Sequence, residues 1–106
     1  MGGRQFENEA VAVSAQVAYD ALVAEARSRY GWDPYAGTIA VTEEFGMVAA
    51  LPGEARPETI RRVIDWAWAT PGRPGSNGGP AACLDLGPAE GAPGQRRYLF
   101  FGFAPS

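Results

Sequence analysis

The chain of 106 residues contains no histidine, no lysine and a single cysteine. Without histidine, the commonest general base, metal ligand and near-neutral pH switch is missing. Without lysine there is no Schiff-base amine and no phosphate-loop lysine. The lone thiol, Cys83, allows no intrachain disulfide, which is the cysteine usage of a cytoplasmic protein. No stretch approaches the ~20 apolar residues of a membrane-spanning helix, and the opening Met1-Gly2-Gly3-Arg4-Gln5 leads into no signal-peptide-like apolar run. Positive charge is also scarce: 9 basic residues, all arginine, stand against 12 acidic ones, for a net charge of -3. Phosphate-backbone binding draws its affinity from counterion release around a positive field. A nucleic-acid partner is therefore not expected, and an acidic surface suits a basic protein partner better.

What is present is enough for one core. Apolar residues make up 46% of the chain, so residues 1–106 are expected to form one domain. Of its 14 glycines and 9 prolines, 7 and 5 fall in two loops, 71–80 and 87–95. A first strand is predicted over Gln5 to Val13. Ser14 reads as the N-cap of a helix from Ala15 to Tyr30, with Ala18, Leu22, Ala26 and Tyr30 on one stripe and Gly31 as its stop. Thr38 to Glu43 and Gly46 to Leu51 are β-prone and read as a hairpin with Phe45 at its tip. Pro57 suits the first turn of a second helix, in which Ile60, Val63, Ile64, Ala67 and Trp68 follow the i, i+3, i+4, i+7, i+8 rule. Trp66 falls off that stripe, four residues after Arg62, whose guanidinium is placed to cover the indole. Ala81 to Leu86 and Arg97 to Phe103 are the last strands. The final one is apolar on both faces, as a central or doubly covered strand is. The order β-α-β-β-α-β-β predicts an α+β fold, a two-layer sandwich with both helices on one face of a mostly antiparallel sheet.

Residues that carry chemistry are few. Cys83 sits mid-strand with no histidine to activate it and reads as a buried apolar thiol. The loop Gly72-Arg73-Pro74-Gly75-Ser76-Asn77-Gly78-Gly79 lacks the Gly-Lys-Ser/Thr ending of a phosphate loop and follows a helix, so it reads as a plain flexible loop. Glu43 and Glu44 are adjacent and diverge in a strand, so they do not form a working carboxylate pair. No metal site, no cofactor and no catalysis are expected. Aromatic residues are more plentiful than one sheet and two helices easily bury. Most are ordinary core, but Trp32, Tyr35 and Phe45 fall in turns and form a candidate partner-binding patch, with Glu43, Glu44 and Glu54 as its acidic companions.

Three segments carry a resemblance: Tyr35-Ala36-Gly37-Thr38-Ile39-Ala40, Gly79-Pro80-Ala81-Ala82-Cys83-Leu84-Asp85-Leu86 and Leu99-Phe100-Phe101-Gly102-Phe103-Ala104. In this order they are similar to the Tyr-x-Gly-Thr-Ile-Ala, Gly-Pro-Ala and Phe-Phe-Gly-Trp-Ala segments of a loose group of small phage and actinobacterial proteins. The chain departs from that pattern at Val41 and Thr42, where an acidic-basic pair is usual, and at Phe103, where tryptophan is usual. The group supplies no catalytic residue to carry over. It implies company with the stoichiometric inhibitors that phages direct against host defence. Three functions stay open on these grounds. The first is an interaction protein, of the anti-CRISPR kind, that occupies a basic nucleic-acid-binding surface of a host complex. The second is a nucleotide-signal sponge that uses Arg73, Ser76 and Asn77, with Trp32 or Tyr35 stacking a base. The third is a structural homodimer joined through the apolar last strand.

Overall fold

In the computed structural model, which describes residues 3–31 and 37–105, strand β1 (Gly3–Ala12) leads into helix α1 (Ala15–Tyr30). Ser14 caps α1 as its hydroxyl type dictates, accepting from the Val17 amide at 3.2 Å. Gly31 ends it with φ at 71°, in the left-handed region where only glycine is unstrained. Ala18, Tyr19, Leu22, Val23 and Ala26 form the buried side of α1, and the two alanines let the helix lie close on the sheet. After α1 the chain makes a single 3-10 turn, Ile39–Val41, then a four-residue strand β2 (Phe45–Val48). Helix α2 (Arg56–Ala69) and strands β3 (Ala81–Pro88) and β4 (Arg96–Pro105) complete the chain. No helix among the described residues is long and apolar enough to cross a membrane.

The four strands stand in the order β1-β4-β3-β2. β4 is antiparallel to both β1 and β3, while β2 runs parallel to β3. The sheet is mixed, mostly antiparallel, and the class is α+β as the sequence predicts. β4 is central, which explains why it is apolar on both faces.

Three features differ from the expectation. Thr38 to Glu43 is not a strand. The Thr38 hydroxyl accepts from the Ala40 amide at 3.3 Å, and the Thr42 hydroxyl donates back to the Ile39 carbonyl at 2.6 Å. Local threonine bonds of this kind compete with a strand ladder, and the turn they make sets Ile39 into the core, 1% exposed. Second, no hairpin forms at Phe45, because β2 pairs in parallel with β3 and α2 is the crossover between them. Third, the helices lie on opposite faces, in three layers rather than two. Tyr98, Phe100, Ala81 and Cys83 pack with α1, whereas Leu99, Phe101, Ala82 and Leu84 pack with α2. The cause is handedness. The β1-α1-β2 crossover carries the chain across the whole sheet in one direction, and β2-α2-β3 carries it one strand back. Two parallel crossovers of the same hand that move in opposite directions must place their helices on opposite faces.

The 71–80 loop is not a free connection. Gly75 accepts from the Phe103 amide at 3.2 Å and donates to the Pro80 carbonyl at 2.8 Å, so the loop continues the sheet beside β4 where β3 has not yet begun. This docking requires glycine at 102, where a Cβ would stand 3.0 Å from Gly75 Cα. Gly102→Ala is expected to cost about 1–3 kcal/mol, as overpacking against backbone does, and to lower Tm by roughly 5–15 °C. Thermal unfolding checks this, and an unchanged Tm would show the loop undocked.

Candidate interaction surface

Helix α2 organises the exposed aromatic surface. Its buried stripe is Thr59, Ile60, Val63, Ile64 and Ala67. At about 100° per residue, Trp66 and Trp68 stand on the two shoulders of that stripe. They are 50% and 60% exposed, so Trp68, expected as the fifth stripe residue, is a surface residue. Trp68 meets Phe103 edge to face at 5.4 Å. On the other shoulder Arg73, not Arg62, covers Trp66, its guanidinium carbon 3.4 Å from the ring centroid. Arg62 is held elsewhere: its Nε donates to Glu54 Oε2 at 2.8 Å and a terminal nitrogen donates to the Ala49 carbonyl at 2.8 Å.

Beside the Trp68 shoulder runs an open groove of about 550 Å³, floored by Ile60, Ile64, Trp68 and Phe103 and bordered by Gln5 and Glu7 of β1. Its origin is geometric. A helix about 10 Å wide covers roughly two strands spaced about 4.8 Å apart. One helix per face therefore leaves part of each face of a four-stranded sheet uncovered.

The residues singled out by sequence are scattered. Trp32 and Tyr35 lie outside the described residues. Phe45 is no hairpin tip. Its ring packs against Tyr19 at 5.0 Å and Phe100 at 5.5 Å, as part of the α1-side core. Glu43 and Glu44 are exposed where the chain enters β2, with no cationic partner among the described residues. Asp20 and Glu44 both act on buried Tyr19, whose hydroxyl is hydrogen-bonded to the Thr42 hydroxyl at 2.7 Å. Burial is the main cause that raises the Tyr19 pKa, the bond to Thr42 and the Arg27 charge work against it, and the two carboxylates add a smaller push upward.

Glu54 is committed to the fold. Ala55, at the N-cap of α2, has no side-chain acceptor, and its own amide donates to Glu58 Oε1 at 3.1 Å. Glu54 beside it accepts from Arg62, from the Leu51 amide at 2.9 Å and from the Thr59 hydroxyl at 2.8 Å. The Arg62 guanidinium first, then the Leu51 amide, hold its carboxyl down at about 2.

Arg73, Ser76 and Asn77 do not converge. Arg73 joins Trp66, Met47 and Pro74 around a cleft of about 220 Å³. Ser76 is buried under Gly79, and its Oγ finds no hydrogen-bond partner among the described residues. Asn77 lies on the surface with its side chain against Gly3. Cys83 is fully buried in the α1-side core, and burial pushes its thiol up to about 12.

The chain matches no family model, no curated protein and no solved structure. The groove and the two shoulders escape a reading of the sequence, although Trp68 carried a signal. It is the last member of the apolar stripe, three residues before the Pro71 stop.

Two measurements test this description. Cys83 is expected not to react with a thiol reagent at pH 8 in the native chain and to react fully in denaturant, because the thiolate is both inaccessible and disfavoured. Reaction in the native chain would contradict its burial. For Glu54 the folded pKa lies below the ordinary 4.5, so its stabilisation is complete above that value and is lost as pH falls from 4.5 through about 2. Glu54→Gln is expected to lower Tm at pH 7, with the gap to the parent chain closing by pH 2. A constant gap would mean that the carboxylate is not ion-paired.

Proposed function

We propose that the chain is a non-catalytic protein-interaction module that binds a basic surface of a host protein complex. The single observation that carries the reading is the pair of tryptophans on the shoulders of α2, 50% and 60% exposed, with Trp68 beside a groove whose floor is apolar and whose rim carries Glu7, Arg56, Arg61 and Asp65. Large aromatics left half in water next to an apolar concavity are what binding hot spots are built from. The exposed neighbours Glu43 and Glu44, which make no ion pair among the described residues, support a basic partner, since unpaired carboxylates are complemented from outside. The resemblance to small phage proteins extends the reading to a stoichiometric, anti-CRISPR-like inhibitor of host defence acting in the cytoplasm.

A second reading rests on the Arg73–Trp66 stack beside its 220 Å³ cleft. An arginine preorganised on an indole suits a nucleotide, with stacking for the base and charge for the phosphate. Thermal shift across a nucleotide panel separates the two readings, because only a ligand site raises Tm with ligand concentration.

The main test is a purified complex. Partners recovered with the tagged chain are titrated against Trp68→Ala and against the double charge reversal Glu43→Arg, Glu44→Arg. Each change is expected to weaken binding about tenfold or more while Tm stays within a few degrees. Undiminished binding by both variants would end the interaction reading for these surfaces.

A further inference from the structure

Strand β1 lies at an edge of the sheet, and its outer side has no strand partner among the described residues. The bonding of β4 shows which β1 residues look outward. The Phe103 amide donates to Gly75, on the side away from β1. Its register partner Gln5 is therefore in a non-hydrogen-bonded pair, and such pairs alternate along an antiparallel ladder. Gln5, Glu7 and Glu9 thus turn their N–H and C=O groups to the free edge, while Phe6, Asn8 and Ala10 bond to β4.

The same edge is flanked by concavities on both faces. The groove of about 550 Å³ lies on the α2 side. A smaller one of about 210 Å³, reaching Phe6, Leu22 and Ala26, lies on the α1 side. Gln5 and Glu7 border both. Free backbone groups with a hollow for alternate side chains on each face are the requirements of strand addition.

We propose that β1 is a strand-addition site for an extended segment of a partner protein, with alternate side chains entering the two grooves and a basic residue opposite Glu7. The inference rests on the interaction reading and names how the partner is held. Charge selects a foreign strand over a second copy. A two-fold axis normal to the sheet keeps faces matched, so only registers that oppose residues of like parity are possible. The two longest such registers set Glu7 against Glu7 or against Glu9, and like charges directly opposite destabilise a strand pair. Glu9 already receives Arg56 and Arg97. Glu7 makes no ion pair among the described residues, although Arg56 and Arg61 line the same groove, so an added strand can pair with it directly.

The test is amide exchange by NMR on the whole chain, alone and with a probe peptide. The probe is the strongest binder from a random linear peptide library panned on the immobilised chain. In the free protein, Phe6, Asn8 and Ala10 are expected to be protected, and Gln5, Glu7 and Glu9 to exchange fast at every concentration. The selected peptides are expected to alternate apolar and basic residues. The bound probe should slow Gln5, Glu7 and Glu9 about tenfold or more, and Glu7→Lys should weaken it about tenfold. Outward amides protected without peptide overturn the proposal: protection that rises with concentration assigns the edge to a second copy, and constant protection assigns it to the chain itself. A library with no alternating binders overturns it as well. A binder that protects other surfaces overturns strand addition and leaves the interaction module standing.

Discussion

The fold depends on one local constraint in β4. Phe100 and Phe101 are adjacent in a strand, so they point to opposite faces, and both are fully buried. A Phe→Ala change in such a site typically costs about 3–5 kcal/mol, so neither face of β4 tolerates solvent. Each needs its own helix. The arrangement that supplies two is a pair of parallel crossovers moving in opposite directions, which places α1 under Phe100 and α2 over Phe101. The parallel pairing of β2 with β3 follows from that requirement, short as β2 is.

Covering both faces with two helices also leaves gaps, and the chain fills them unevenly. Where β3 falls short of β4, the docked 71–80 loop takes its place, with Gly75 and Gly102 in close contact. On the α1 side, the threonine-held turn sets Ile39 into the space beside the helix. On the α2 side the helix reaches β1 through the Arg56–Glu9 ion pair, and the groove lined by Trp68 and Phe103 stays open. The concavity used in the functional reading is thus the complement of the core, left by the number of helices.

Charge is distributed with similar economy. Glu54, Glu9 and Asp85 are each tied to arginine, in pairs that pull all three carboxyls below their ordinary range. Glu54 contributes by anchoring the start of α2 through Arg62 and the Leu51 amide. Carboxylates with no ion pair among the described residues, such as Glu7 on the edge strand, Glu43 and Glu44 at the start of β2, Asp65 and Glu90, carry the acidic character of the surface. A single acid such as Glu54 is indistinguishable by sequence from Glu43 or Glu44, because its role depends on Arg62 arriving eight residues later on a helix.

What the sequence alone determined is local. The bounds of α1, its Ser14 cap and Gly31 stop, the buried stripe from Ile60 to Ala67 and the central place of β4 were all legible, because periodicity, capping and two-sided apolarity act within a few residues. The α+β class followed from the same signals. Tertiary structure decided the rest. Whether β2 closes a hairpin or runs parallel to β3 is a choice between partners distant in sequence, and the helix faces follow from crossover handedness once that pairing is made. Thr38 to Glu43 has strand propensity, but hydroxyl bonds and a place for Ile39 in the core turned it into a 3-10 turn. Phe45 looked exposed and is half-buried against Tyr19 and Phe100, while Trp68 looked buried and is exposed, because burial is set by how far the opposing layer extends.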